Sequence, residues 1–125
     1  MRLLKLFFLL PFLFSFVDPK IGGTLYLANE LKLSEKKYLS AEIVLVKNNL
    51  EIAKTTVKNV IFPQAFVVTP KNALPDKQAM MVGNFNVLIK ILDQNTKKSY
   101  VPSQKFENIS LGSKDLQVVV DRLLP

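Results

Sequence analysis

Hydrophobic and polar residues alternate along most of this chain with a period of two, the spacing of a β-strand rather than of a helix. Between Asn84 and Asp93, the residues Phe85, Val87, Ile89 and Ile91 share one face, while Asn84, Asn86 and Lys90 lie on the other. This is the clearest strand in the chain. In Ala41–Lys47 the residues Ala41, Ile43 and Leu45 alternate with Glu42, Val44 and Val46, so apolar side chains cover both faces, as in a central strand. The same pattern predicts strands over Gly23–Leu31, Leu50–Val57, Ala65–Thr69, Phe106–Leu111 and Leu116–Arg122. Asn48 and Asn49 tolerate the positive φ of a tight turn, which predicts a hairpin joining Ala41–Lys47 to Leu50–Val57. Pro63, Pro70, Pro75 and Pro102 fall where an inner ladder would need their missing N–H groups. A short turn fits Lys71–Gln78, and no longer helical run is present.

Short strands joined by Pro- and Asn-bearing loops predict an all-β fold, an antiparallel β-sandwich of about six to seven strands. The sandwich is expected to be a single domain over residues 18–125, with Phe85, Val87, Ile89, Ile91, Ile43, Leu45 and Val118 in its core.

Residues 1–17 follow a different pattern. Arg2 and Lys5 precede an apolar run, Leu6–Val17, interrupted only by Pro11 and Ser15. Its length suits the core of a signal peptide and falls short of the roughly 20 residues that span a bilayer as a helix. Export is therefore expected, with the protein either periplasmic or anchored in the inner membrane and facing the periplasm. Leu13-Phe14-Ser15 and Ile21-Gly22-Gly23 only partly match the small residues of a cleavage site, so a cleaved signal peptide and an uncleaved signal anchor both stay open.

The 125-residue chain contains no cysteine and no histidine. It lacks the side chains for the usual zinc, copper or haem-ligand sets, for a Ser-His-Asp triad and for a cysteine nucleophile. No cofactor and no metal are expected. Asp93-Gln94-Asn95-Thr96 offers too few oxygens for a calcium loop, and Met80-Met81 alone is a poor copper set. Asp93, Asp115, Glu42 and Glu51 show no spacing that argues for a shared site, and nothing supplies a base poised near neutral pH, so an enzyme is not expected. The 17 basic residues exceed the 10 acidic ones. The lysines are scattered rather than clustered among aromatics, which argues against a nucleic-acid groove and for neutral or acidic partners.

An ordered series of short motifs resembles a known domain. Phe62-Pro63, Phe66-Val67-Val68-Thr69 with Asn72, Met80-Met81, Phe85 and Val87–Asp93 are similar to the periplasmic C-terminal β domain of the tetratricopeptide-type proteins of cytochrome c biogenesis. Gly23-Thr24-Leu25, Ala41–Val46 and Ile52-Ala53-Lys54 fall upstream where that family has its first strands. Ile109–Gly112 and Leu116–Asp121 fall where it has its closing ones. The chain departs from the family at Asn86, at Lys90 or Leu92, and at Gln94, and it carries no tetratricopeptide repeats. The resemblance marks Phe62, Pro63, Phe66, Met80, Met81, Phe85 and Asp93 as its motif residues, most of them of structural type.

The resemblance implies a non-enzymatic periplasmic binding or chaperone module, holding an apocytochrome or another unfolded segment during cytochrome c maturation. The expected partner is thus a polypeptide, not a nucleic acid, with membrane association through an uncleaved N-terminus. The alternative is a structural or oligomeric envelope protein acting at the membrane surface.

Overall fold

The computed structural model describes residues 19–125, so the predicted leader lies outside the described residues. Nine strands follow in order: β1 (Ile21–Leu27), β2 (Leu39–Lys47), β3 (Leu50–Lys58), β4 (Gln64–Val68), β5 (Asn84–Asp93), β6 (Lys98–Val101), β7 (Phe106–Ser110), β8 (Leu116–Val120) and β9 (Arg122–Leu123). They form two sheets. One has the order β4-β1-β8; the other runs β3-β2-β5-β6-β9, with β7 also paired to β5.

The alternating pattern builds the core as expected. Phe85, Val87, Ile89 and Ile91 of β5 are all buried, and the antiparallel register sets Ala41, Ile43 and Leu45 of β2 against Ile91, Ile89 and Val87. From the three-stranded sheet, Ile21, Leu25, Phe66, Val68, Val118 and Val120 close onto the same cluster. Burying these faces together is the main favourable term in the fold. β2 lies between β3 and β5, the central position its two-faced pattern predicts. The β2–β3 hairpin turns on Asn48 (φ 53°) and Asn49 (φ 62°), which take up the positive dihedrals of a tight turn.

The all-β expectation therefore holds, with differences in detail. β1 and β8 run parallel, Gly23 opposite Leu116 and Leu27 opposite Val120, so the sandwich is not wholly antiparallel. A Cβ on Gly23 would lie 2.3 Å from the Leu116 carbonyl oxygen, so this close approach requires glycine. β1 also ends at Leu27, four residues before the expected limit, because the chain turns there. Ala28 N–H still reaches Val120 C=O (3.0 Å), after which Leu31 and Leu33 pack against the core from a loop.

The predicted strand Leu116–Arg122 divides at Asp121. Its carboxylate accepts from the N–H (2.7 Å) and hydroxyl (3.0 Å) of Ser103, and the chain passes from β8 in one sheet to β9 in the other. Two strands, β6 and β9, escaped the sequence pattern because they are too short to alternate visibly. In place of one turn over Lys71–Gln78, single 3-10 turns occupy Pro70–Asn72 and Gln78–Met80. The first is capped by Thr69, whose hydroxyl accepts from Lys71 N–H while its own N–H donates to the Asn72 side chain.

Candidate functional site

β5 has two neighbours on one edge, and they do not meet. β7 pairs with Asn84–Val87 and β6 with Ile91–Asp93, while the intervening residues 102–105 belong to no strand. Leu88, Ile89 and Lys90 are paired to β2 on one side and to no strand on the other. The Asp93 carbonyl faces β6, accepting from Lys97 N–H at 2.8 Å. Peptide groups alternate along a strand, so those of Ile89 point into the gap, one donor and one acceptor with no strand opposite them.

The gap opens into a groove of about 610 Å³ on the outer face of the larger sheet. Val44 of β2 sits opposite Leu88 of β5, and the two give the groove an apolar floor. Leu88 is 56% exposed, whereas Val44 is buried although it faces outward. Val101, Pro102, Phe106 and Leu124 form the apolar wall. Around the rim, Glu42, Glu51 and Glu107 balance Lys90, Lys105 and Arg122. Glu42 lies opposite Lys90 in the β2–β5 register and is also within 3.3 Å of Lys54. The groove thus carries no net charge although the chain as a whole carries +7. A rim of both signs over an apolar floor does not concentrate the potential that draws polyanions.

Glu42 and Glu51, which showed no common site in the sequence, both line this groove, as does Glu107 from β7. Among the described residues, no three carboxylates are close enough to hold a metal ion.

The motif residues marked by the family resemblance lie elsewhere. Phe66, Met81 and Phe85 are buried in the core, Phe62 and Met80 pack against it, and Pro63 is exposed at the β3–β4 connection, preceded by a cis peptide bond. Lys47 covers Phe85: its Nζ lies 5.5 Å from the ring centroid and donates to the Val82 carbonyl at 2.7 Å. Asp93 is buried at the β5–β6 turn. None of these seven residues lines the groove. Its own residues were missed in the sequence because they come from β2, β3, β5, β6, β7 and β9. The one local signal was the apolar outer face of β2.

No family model matches the chain, and no curated protein does. One solved structure, described as an alternative pilotin from the type II secretion system of Vibrio cholerae, aligns with 85% of this chain and 96% of its own at 9% identity and a TM-score of 0.48. That is a likeness of general outline.

Proposed function

We propose that this chain is a non-enzymatic polypeptide-binding module of the cell envelope that holds an extended segment in the groove of the larger sheet. The observation that carries the proposal is the gap in β5 pairing at Leu88–Lys90, where the Ile89 peptide groups stand open beside an apolar floor. An extended segment laid there gains main-chain hydrogen bonds from Ile89 and buries apolar side chains on Val44 and Leu88, the logic of strand addition. The balanced rim suits a polypeptide with residues of both signs. An unfolded apocytochrome segment is the partner that the sequence resemblance implies, and the apolar N-terminal run supports placement in the periplasm or at the periplasmic face of the inner membrane.

Titration of the full chain with apocytochrome c peptides and with unrelated unfolded peptides tests the proposal. Binding at micromolar Kd, about −8 kcal/mol, is expected. Leu88→Lys, at an exposed position on the groove floor, is expected to weaken it at least tenfold. No binding of either peptide class at tens of micromolar, or unchanged binding by Leu88→Lys, would overturn it.

A further inference from the structure

The charges around the groove cancel in sum but are sorted along β5. At the Asn86 end, Glu51 pairs with Val46, which faces Asn86, and Glu107 lies across from Asn86 where β7 shifts register against β5. Both carboxylates line the groove. Lys105 precedes Phe106, the partner of Val87, and so stands nearer the middle of the wall. At the other end, Lys90 and Arg122 line the groove. Arg122 pairs with Val101, which follows Tyr100, the partner of Ile91, and so falls level with Lys90. Glu42, opposite Lys90, is already engaged by Lys54 at 3.3 Å. Asn86 and Lys90 are four positions apart, about 13 Å along a strand. The groove is thus dipolar, acidic at Asn86 and basic at Lys90, with Val44 and Leu88 between.

We propose that the groove reads charge order: it takes an extended segment, antiparallel to β5, in which an acidic residue, an apolar one and a basic one follow at every second position. This rests on polypeptide binding in the groove and names the class of segment bound there.

The open peptide groups set the direction. In an antiparallel pair, one residue of the segment exchanges both hydrogen bonds with Ile89, whereas a parallel segment needs two residues flanking that level. The opening between β6 and β7 covers only Leu88–Lys90, so the antiparallel pairing is the one that fits, and both neighbours of β5 on this edge already run that way. The residue opposite Ile89 then turns inward, and the residues on either side of it turn outward. The preceding one lies beside Lys90 and Arg122, and the following one beside Leu88. Two positions further on, the segment reaches the level of Asn86. There β7 occupies the edge of β5, so the segment rises over the outer face, between Glu51 and Glu107. Opposite charges at the two ends are attracted in this order and repelled in the reverse one.

The test titrates the full chain with two peptides of about eleven residues, long enough to span the groove. One carries Glu-Ser-Val-Ser-Lys at its centre and the other Lys-Ser-Val-Ser-Glu, in the same uncharged flanks. At about 0.05 M salt the first should bind about fivefold more tightly, the scale of exposed ion pairs, and slow hydrogen exchange at the Ile89 amide. At about 0.5 M salt the preference should fall below about twofold, each order having moved little in opposite directions. Leu88→Lys should weaken both peptides. The double variant Glu51→Lys with Glu107→Lys, at two exposed positions, leaves both ends basic and should bind the two orders alike. Equal binding of the two orders at low salt, tighter binding of the reverse order, or a preference that survives the double variant would overturn the proposal and leave the groove standing. So would binding of neither designed peptide while unfolded peptides still bind. Binding of no peptide of any kind would remove both readings.

Discussion

Asp93 accepts a hydrogen bond from the main-chain N–H of Ser34 at 3.0 Å, across 59 positions of sequence. Its other carboxylate oxygen accepts from Asn95 N–H (3.1 Å) and Thr96 N–H (3.4 Å), and the Asn95 amide donates in turn to the Ser34 hydroxyl (3.2 Å). One buried carboxylate thus ties the β1–β2 connection to the β5–β6 turn. Burial by itself would push the carboxyl pKa up. The donors from Ser34, Thr96 and Asn95 outweigh that and hold it below the usual aspartate value.

A pH dependence follows from that depressed pKa. The contribution of Asp93 is present above the unfolded aspartate value, about 3.9, and is lost as pH falls through the lower folded value. Asp93→Asn replaces one acceptor by an amide donor and is expected to cost about 1–3 kcal/mol at pH 7. The gap between the two proteins should narrow below about pH 4. Urea midpoints at neutral and acid pH measure this, and a gap that stays constant would contradict the assignment.

Gly23→Ala is expected to destabilise the fold by about 1–3 kcal/mol or more, as overpacking against backbone does. The added carbon would meet both the carbonyl oxygen and the Cβ of Leu116, at 2.3 and 2.7 Å, so β1 and β8 would have to separate. Gly22→Ala, whose nearest contact would be 3.0 Å, should be milder. Thermal melts of the two variants give the comparison, and equal effects would show that the parallel pair yields easily.

Two residues of β5 on opposite faces should differ sharply. Phe85→Ala empties a buried site and is expected to cost about 3–5 kcal/mol. Leu88→Ala, at a position 56% exposed, should stay within about 0.5 kcal/mol. Denaturation midpoints that fail to separate them would mean the inward face is misassigned.

Binding in the groove should depend only weakly on ionic strength. Glu42, Glu51 and Glu107 offset Lys90, Lys105 and Arg122, so screening has little net field to act on. Raising salt from about 0.05 to 0.5 M should change the peptide Kd less than threefold, because close contacts of short range survive a shrinking Debye length. A steep salt dependence would point instead to the general positive charge of the chain.

The sequence by itself determined the local geometry. Alternation in β5 and β2 settled which side chains turn inward, because in a strand the period of two is a property of neighbouring residues. The paired asparagines settled the β2–β3 turn for the same reason. Aromatic and methionine positions from Phe62 to Phe85 were legible as packing residues, and the structure seats all of them in or against the core. Only the tertiary structure decided that β1 runs parallel to β8, that the chain changes sheets at Asp121, and that β6 and β7 part beside Ile89. These outcomes compare distant pairings whose free energies are not written in any one segment, and two-residue β9 carries too few positions to show a pattern. The groove was not visible beforehand because it is defined by a missing partner, the stretch of β5 that neither β6 nor β7 pairs.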